Sequence, residues 1–92
     1  MSDIFVVNEE YKAQVKCFKV NEEYKADLLV FVVDEQYKAS SDEKWFYVSE
    51  EYKASTKILW VDEEYKADLK VFFVNEEYKA KWNSGHALQK RL

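Results

Sequence analysis

Six acidic doublets recur along this 92-residue chain: Glu9 and Glu10, Glu22 and Glu23, Glu35 and Gln36, Glu50 and Glu51, Glu63 and Glu64, Glu76 and Glu77. Carboxylate oxygens gathered in one place are ligands for hard cations such as calcium. Each doublet is followed two residues later by a lysine, Lys12, Lys25, Lys38, Lys53, Lys66 or Lys79, which can neutralise it locally. The doublets are therefore expected to form a solvated rim of weak ion pairs, with a divalent-cation site as the alternative. Other chemistry is sparse. The lone histidine, His86, lies in "NSGHALQ", and the chain has no Cys-x-x-Cys, His-Glu-x-x-His, phosphate-binding glycine loop or Gly-x-Ser-x-Gly. His86 is read as structural. Cys17 stands where other copies of the pattern hold Ile4, Val30 and Ile58, so a buried, unreactive thiol is expected. No catalytic, cofactor-binding or metal-ligating residue is assigned, and the chain is read as a non-enzymatic structural or binding module of unknown partner.

These groups are placed by a repeat. Aligned on Tyr11, Tyr24, Tyr37, Tyr52, Tyr65 and Tyr78, the copies are spaced by 13, 13, 15, 13 and 13 residues, the irregularity being a two-residue insertion within "SSDEK". A 13-residue unit is too short for the common helical solenoids and holds one or two short strands and a turn. Before each acidic turn stands a valine (Val7, Val20, Val33, Val48, Val61, Val74). Two residues earlier come Phe5, Phe18, Phe31, Phe46, Leu59 and Phe72, on the same face of a strand. The other face carries Ile4, Cys17, Val30, Trp45, Ile58 and Val71, continued backwards by Val15, Leu28, Leu69 and Trp82. One face is thus apolar throughout and the other only near the strand end, unlike a sheet with one wet face. The turn itself admits two readings. The preferred one is a tight acidic turn leading straight into a strand that starts at the tyrosine; the other is a single helical turn begun by Asn, Asp or Ser. In either case the tyrosines are expected to pack in the core with their hydroxyls at its edge, an aromatic collar for a ligand being the alternative.

Six such units cannot each bury their own apolar face, and an open stack would leave two bare edges with no capping unit in sight, so closure into a ring or barrel is expected. The whole of residues 1–92 reads as one all-β repeat domain: six units, a partial seventh from Lys81 to Asn83, and a tail. Lys90 and Arg91 are too few for nucleic acid, the formal charge is -4 with both signs interleaved, and no apolar run approaches a membrane span. With one cysteine and no leader pattern the protein is read as cytoplasmic, as a monomer or weak homo-oligomer. Such close repetition also fits a consensus or designed sequence.

The strand, acidic turn and "EYKAD" in tandem, most clearly "EEYKADLLVFVV" at 22–33 and "EEYKADLKVFFV" at 63–74, resemble the bacterial Septknot domain family, once a domain of unknown function. The resemblance implies a closed, pseudo-sevenfold β toroid whose backbone is threaded as a seven-crossing torus knot, and it brings no biochemical activity. Cys17, Lys19 and the "SSDEK" insertion depart from perfect symmetry.

Overall fold

The computed structural model describes residues 2–83 and 92. Its strands are β1 (Ser2–Val6), β2 (Val15–Lys19), β3 (Leu28–Val32), β4 (Lys44–Tyr47), β5 (Thr56–Trp60), β6 (Leu69–Phe73) and β7 (Lys81–Trp82). The first six are parallel and close on themselves in the order β4, β1, β5, β2, β6, β3 and back to β4, through pairs such as Phe31 with Lys44 and Ser2 with Trp45. Sequence neighbours therefore never pair, except β3 with β4. Apart from the one that joins β3 to β4, each connector straddles the strand that lies between the two it joins. Between β1 and β2, the Val7 N–H donates to Ile58 O and the Gln14 N–H to Lys57 O, both on β5. The same arrangement holds Val20 and Asp27 to β6, Val48 and Ser55 to β1, and Val61 and Asp68 to β2.

Alternation along each strand divides the side chains as the repeat implied. The inner face stacks Ile4, Cys17, Val30, Trp45, Ile58 and Val71 in one fully buried layer, with Val15, Leu28 and Leu69 beneath it. The outer face carries the Phe5 to Phe72 series, half-buried rather than fully buried, because only the connectors cover it. The Val7, Val20 and Val33 side chains are buried under the same cover.

Two expectations are corrected. The segment after each acidic residue is a single 3-10 turn: Glu10–Lys12, Glu23–Lys25, Gln36–Lys38, Glu51–Lys53, Glu64–Lys66 and Glu77–Lys79. Lys12 and Ala13 donate their N–H groups to Glu9 O and Glu10 O, which takes them out of any strand ladder, and the other five turns repeat this. The residues flanking each turn have negative φ, as at Glu9 (φ -131) and Ala13 (φ -83), so none of these positions needs glycine. The six tyrosines consequently stand outside, 71 to 79% exposed, instead of packing in the core.

The seventh unit does not join the parallel ring. β7 lies antiparallel to β3, with Trp82 opposite Leu28 and Lys81 opposite Leu29, and shares that edge of β3 with β4. The insertion explains how the base is closed there. Asp42 accepts hydrogen bonds from Trp82 Nε1 (3.3 Å) and from the Leu92 N–H (3.2 Å), while its carbonyl accepts from Trp45 Nε1 (2.7 Å). The Leu92 side chain sits in the core beside these tryptophans. The ring is closed by β4, and Trp82 seals its base. His86, Lys90 and Arg91 lie outside the described residues.

In equilibrium guanidinium denaturation, Leu69→Ala is expected to cost about 2–5 kcal/mol, as for a fully buried leucine, and Phe31→Ala less than a fully buried phenylalanine. Tyr65→Ala should cost under about 0.5 kcal/mol. Equal losses for Leu69→Ala and Tyr65→Ala would contradict the placement of the turns.

Candidate functional site

The acidic doublets are brought to the outside of the barrel, where, among the described residues, every glutamate of the six except Glu23 stands in an ion pair with a lysine. The first glutamate pairs within its turn, as Glu9 with Lys12 (3.3 Å), Glu22 with Lys25 (3.0 Å) and Glu63 with Lys66 (3.1 Å). The second reaches a lysine on the following strand: Glu10 with Lys16 (2.9 Å), Glu51 with Lys57 (3.5 Å), Glu64 with Lys70 (3.2 Å). Neighbouring turns interleave further, since Glu51 raises Lys12 and Lys66 lowers Glu10 in addition to their direct partners. The result is a belt of alternating charge rather than a circle of bare carboxylates. Among the described residues no three His, Cys, Asp or Glu side chains converge as a metal site would need.

The residue after four of the six "YKA" copies has a role the sequence reading did not assign. The Asp27 N–H donates to Lys70 O at 2.8 Å while Asp27 Oδ2 accepts from the Lys70 N–H at 3.1 Å. Asp68 does the same with Lys16, Gln14 with Lys57, and Ser55 with Asp3. Each is a two-point clamp on a strand of distant sequence, and each needs a short side chain with an oxygen acceptor. Part of the signal was there to be read: Gln14, Asp27, Ser55 and Asp68 all carry one and Lys81 in the same slot does not, while Ser40 carries one but precedes the insertion, where β3 and β4 pair directly.

Gln36, the only amide among the doublets, is explained by Asp3. On the strands the slot held by Lys16, Lys44, Lys57 and Lys70 is occupied in β1 by Asp3, which is buried. The Gln36 side chain donates Nε2–H to Asp3 Oδ2 at 2.9 Å, where a glutamate would set two carboxylates against each other. Lys44, beside this seam, pairs instead with Glu77 (3.0 Å). Asp3 Oδ1 has no hydrogen-bond partner.

Because the six ring strands are parallel, their C-terminal ends open on one side. The inner residues there are Val6, Lys19, Val32, Tyr47, Trp60 and Phe73, and Val6, Val32 and Tyr47 remain exposed. Trp60 and Phe73 lie 5.8 Å apart between ring centroids, above the buried Trp45, which is 6.5 Å from Trp60 and 6.1 Å from Phe73. Lys19 Nζ stands 5.7 Å from the Phe73 ring. Partial burial of its phenol, and then Cys17, pushes Tyr47 up to about 12. Cys17 is buried as expected, and desolvation, followed by the nearby Asp68 charge, raises its thiol to about 12, which withholds the nucleophilic thiolate. Sequence reading treated Lys19 only as a departure from symmetry and missed this mouth, although Lys19, Tyr47, Trp60 and Phe73 all stand two residues beyond the inner core layer.

The fold and its surface define a class: a closed barrel of parallel strands from tandem repeats, with connectors passing outside. Residues 1–83 match the Septknot family, described as the 7(1) septoil knot domain, and the chain belongs to that family. No curated protein and no solved structure matches it. Among the described residues no helix is long and apolar enough to cross a membrane.

Gln36→Glu is expected to lower stability by about 0.5–1.5 kcal/mol, the cost of a lost, partly buried hydrogen bond. Adding Asp3→Lys should restore part of the loss by recreating the pair used elsewhere, which thermal melts of the single and double variants will show.

The ion pairs also set a pH profile. Hydrogen bonds from Lys16, Lys25 and Lys53 hold Glu10, Glu22 and Glu50 below the ordinary carboxylate range. Their contribution is complete above the unfolded value of about 4.3 and is lost as pH falls through the lowered folded values. Lys12, Lys16 and Lys25 are raised by the hydrogen bonds they donate to Glu9, Glu10 and Glu22, so their contribution is complete below about 10.4 and is lost at higher pH. A guanidinium midpoint that is level between these limits and falls beyond both is expected, with shallow slopes because the groups are exposed.

Proposed function

We propose that the protein is a non-enzymatic structural or binding module of the cytoplasm, whose barrel is a toroid tied as a torus knot. The observation that carries this reading is the strand order. β1, β2 and β3 are laid down at alternate places, β4, β5 and β6 fill the gaps, and each of the connectors described above bonds to a strand of the other lap at both its ends. A backbone that winds twice while passing outside its own earlier strands has the path of such a knot, and the family description names one. The withheld Cys17 thiol and the lysine-paired glutamates support the non-enzymatic part, and a single buried thiol suits a reducing compartment. A ring whose six strands have two partners each leaves little edge for strand addition, which supports a monomer or weak homo-oligomer. The divalent-cation alternative competes against lysines already seated on the carboxylates.

Refolding from guanidinium tests the reading. With distant strands to pair and a terminus to thread, folding over minutes or longer and strong hysteresis between unfolding and refolding curves are expected. The chain has no proline, so a slow phase does not arise from prolyl isomerisation. Complete, reversible folding in milliseconds would count against the knot. A melting temperature raised by millimolar calcium, but not by matched sodium chloride, would favour the cation alternative.

A further inference from the structure

The described lysines are almost all committed: ten of them stand in ion pairs with carboxylates. Lys19 and Lys81 are the two to which no such pair belongs, and they differ in setting. Lys81 lies on the short β7. Lys19 emerges on the inner side of β2, between Trp60 of β5 and Phe73 of β6, the strands that flank β2 in the ring. With Phe18, Tyr47, Trp60, Val61 and Phe73 it lines a depression of about 470 Å³ at the open mouth of the barrel. The larger depression around Phe31, Tyr37, Lys38 and Lys44 offers no comparable charge, because Lys38 is held by Asp34 and Glu35 and Lys44 by Glu77. The one beside Phe72 and Lys79 has Lys79 held by Glu76.

We propose that this mouth binds a small planar aromatic anion, an aryl carboxylate or its like, with the ring laid against Trp60 and Phe73 and the anionic group on Lys19. Aromatic walls with one convergent polar group are the usual make-up of small-ligand sites. Here the walls are rings at the centroid separations at which aromatic pairs attract. Among the described residues the cation has only the face of Phe73 for company, so a carboxylate reaching it displaces no protein anion described there. The Tyr47 hydroxyl, protonated at neutral pH, adds a donor on the opposite side of the mouth. This deepens the reading of the protein as a binding module and is independent of the knot, which folding kinetics decide.

The test uses 2-naphthoate as probe and the isotope-labelled protein, with two-dimensional amide spectra and tryptophan fluorescence as readouts. Saturable binding is expected, with shifts centred on Lys19, Tyr47, Trp60 and Phe73. Lys19→Met should weaken it roughly tenfold, about the loss of one charge-assisted contact, and Lys81→Met should leave it unchanged. Neutral 2-naphthylmethanol should bind the native protein more weakly than 2-naphthoate, and added salt should narrow the difference. No saturation by 2-naphthoate, shifts centred on Phe31 and Lys44, or equal affinity for the neutral compound and for Lys19→Met would overturn the proposal. The comparison of two ligands on the native protein stands even if the variant folds poorly.

Discussion

Neighbouring strands of the ring are displaced by two residues, and that displacement dictates where the chain goes next. Ile4 faces Tyr47 on one side, two residues beyond Trp45, its counterpart in the repeat, and Thr56 on the other, two residues before Ile58. Two residues are about 6.6 Å along a strand against about 4.8 Å between strands, so the strands tilt by roughly 54° to the barrel axis, steeper than the usual 35–45°. A strand of about 17 Å then drifts roughly 13 Å around the circumference, where successive places are about 8 Å apart. The chain emerges beyond its neighbour, and a short connector dropping down the outside meets the second place along, not the first. Parallel neighbours ordinarily need a dozen or more connecting residues. Here eight residues between Val6 and Val15 suffice because the tilt has already done the sideways travel.

The same constraint explains which surfaces are covered. Connectors lie over the ends of strands they do not join, so the outer face is apolar where a connector crosses it, at the Phe5 and Val7 series, and turns to Lys16, Lys57 and Lys70 where it does not, with Leu29, buried beside β7, the exception. Clamps such as Asp27 on Lys70 and Asp68 on Lys16 then fix the register of strands from different laps. A one-residue slip would move every inner side chain outward, and these clamps add a polar cost to the apolar one. The exposed ion pairs contribute little energy each; their regular alternation around the belt chiefly keeps like charges apart.

The alternation of Phe5 with Ile4 and of Phe18 with Cys17, and the 13-residue phase, made the strands, their two faces and the need for closure legible in the sequence. The turns were not. In Tyr65, Ala67, Leu69, Val71 and Phe73 a period of two runs unbroken from turn into strand, and only the backbone bonds of Lys66 and Ala67 to Glu63 and Glu64 separate them. Tyrosine looked like core because it is large, yet its place in the turn faces water. The exceptions carried more information than the repeat itself. Gln36 marks the seam at Asp3, the insertion supplies Asp42 for the base, and Lys19 marks the mouth. Which strand lies beside which is invisible in a periodic sequence, because every unit offers the same partners to every other.

Placing strands at every second position has an arithmetical side. With β7 counted at its half-place between β3 and β4, the ring offers seven places. A walk of constant step two visits all the places of a circle before repeating only when their number is odd. The six parallel strands alone would return to an occupied place after one lap; they avoid this because the step from β3 to β4 is a single place, and the two-residue β7 takes up the half-place left beside it. Tandem repeats usually lengthen or shorten in a lineage one copy at a time, each length being a slightly different version of the same object. For this barrel parity matters instead: an even number of equal places needs one irregular step, and here that step falls where the two-residue insertion lengthens the connector between β3 and β4.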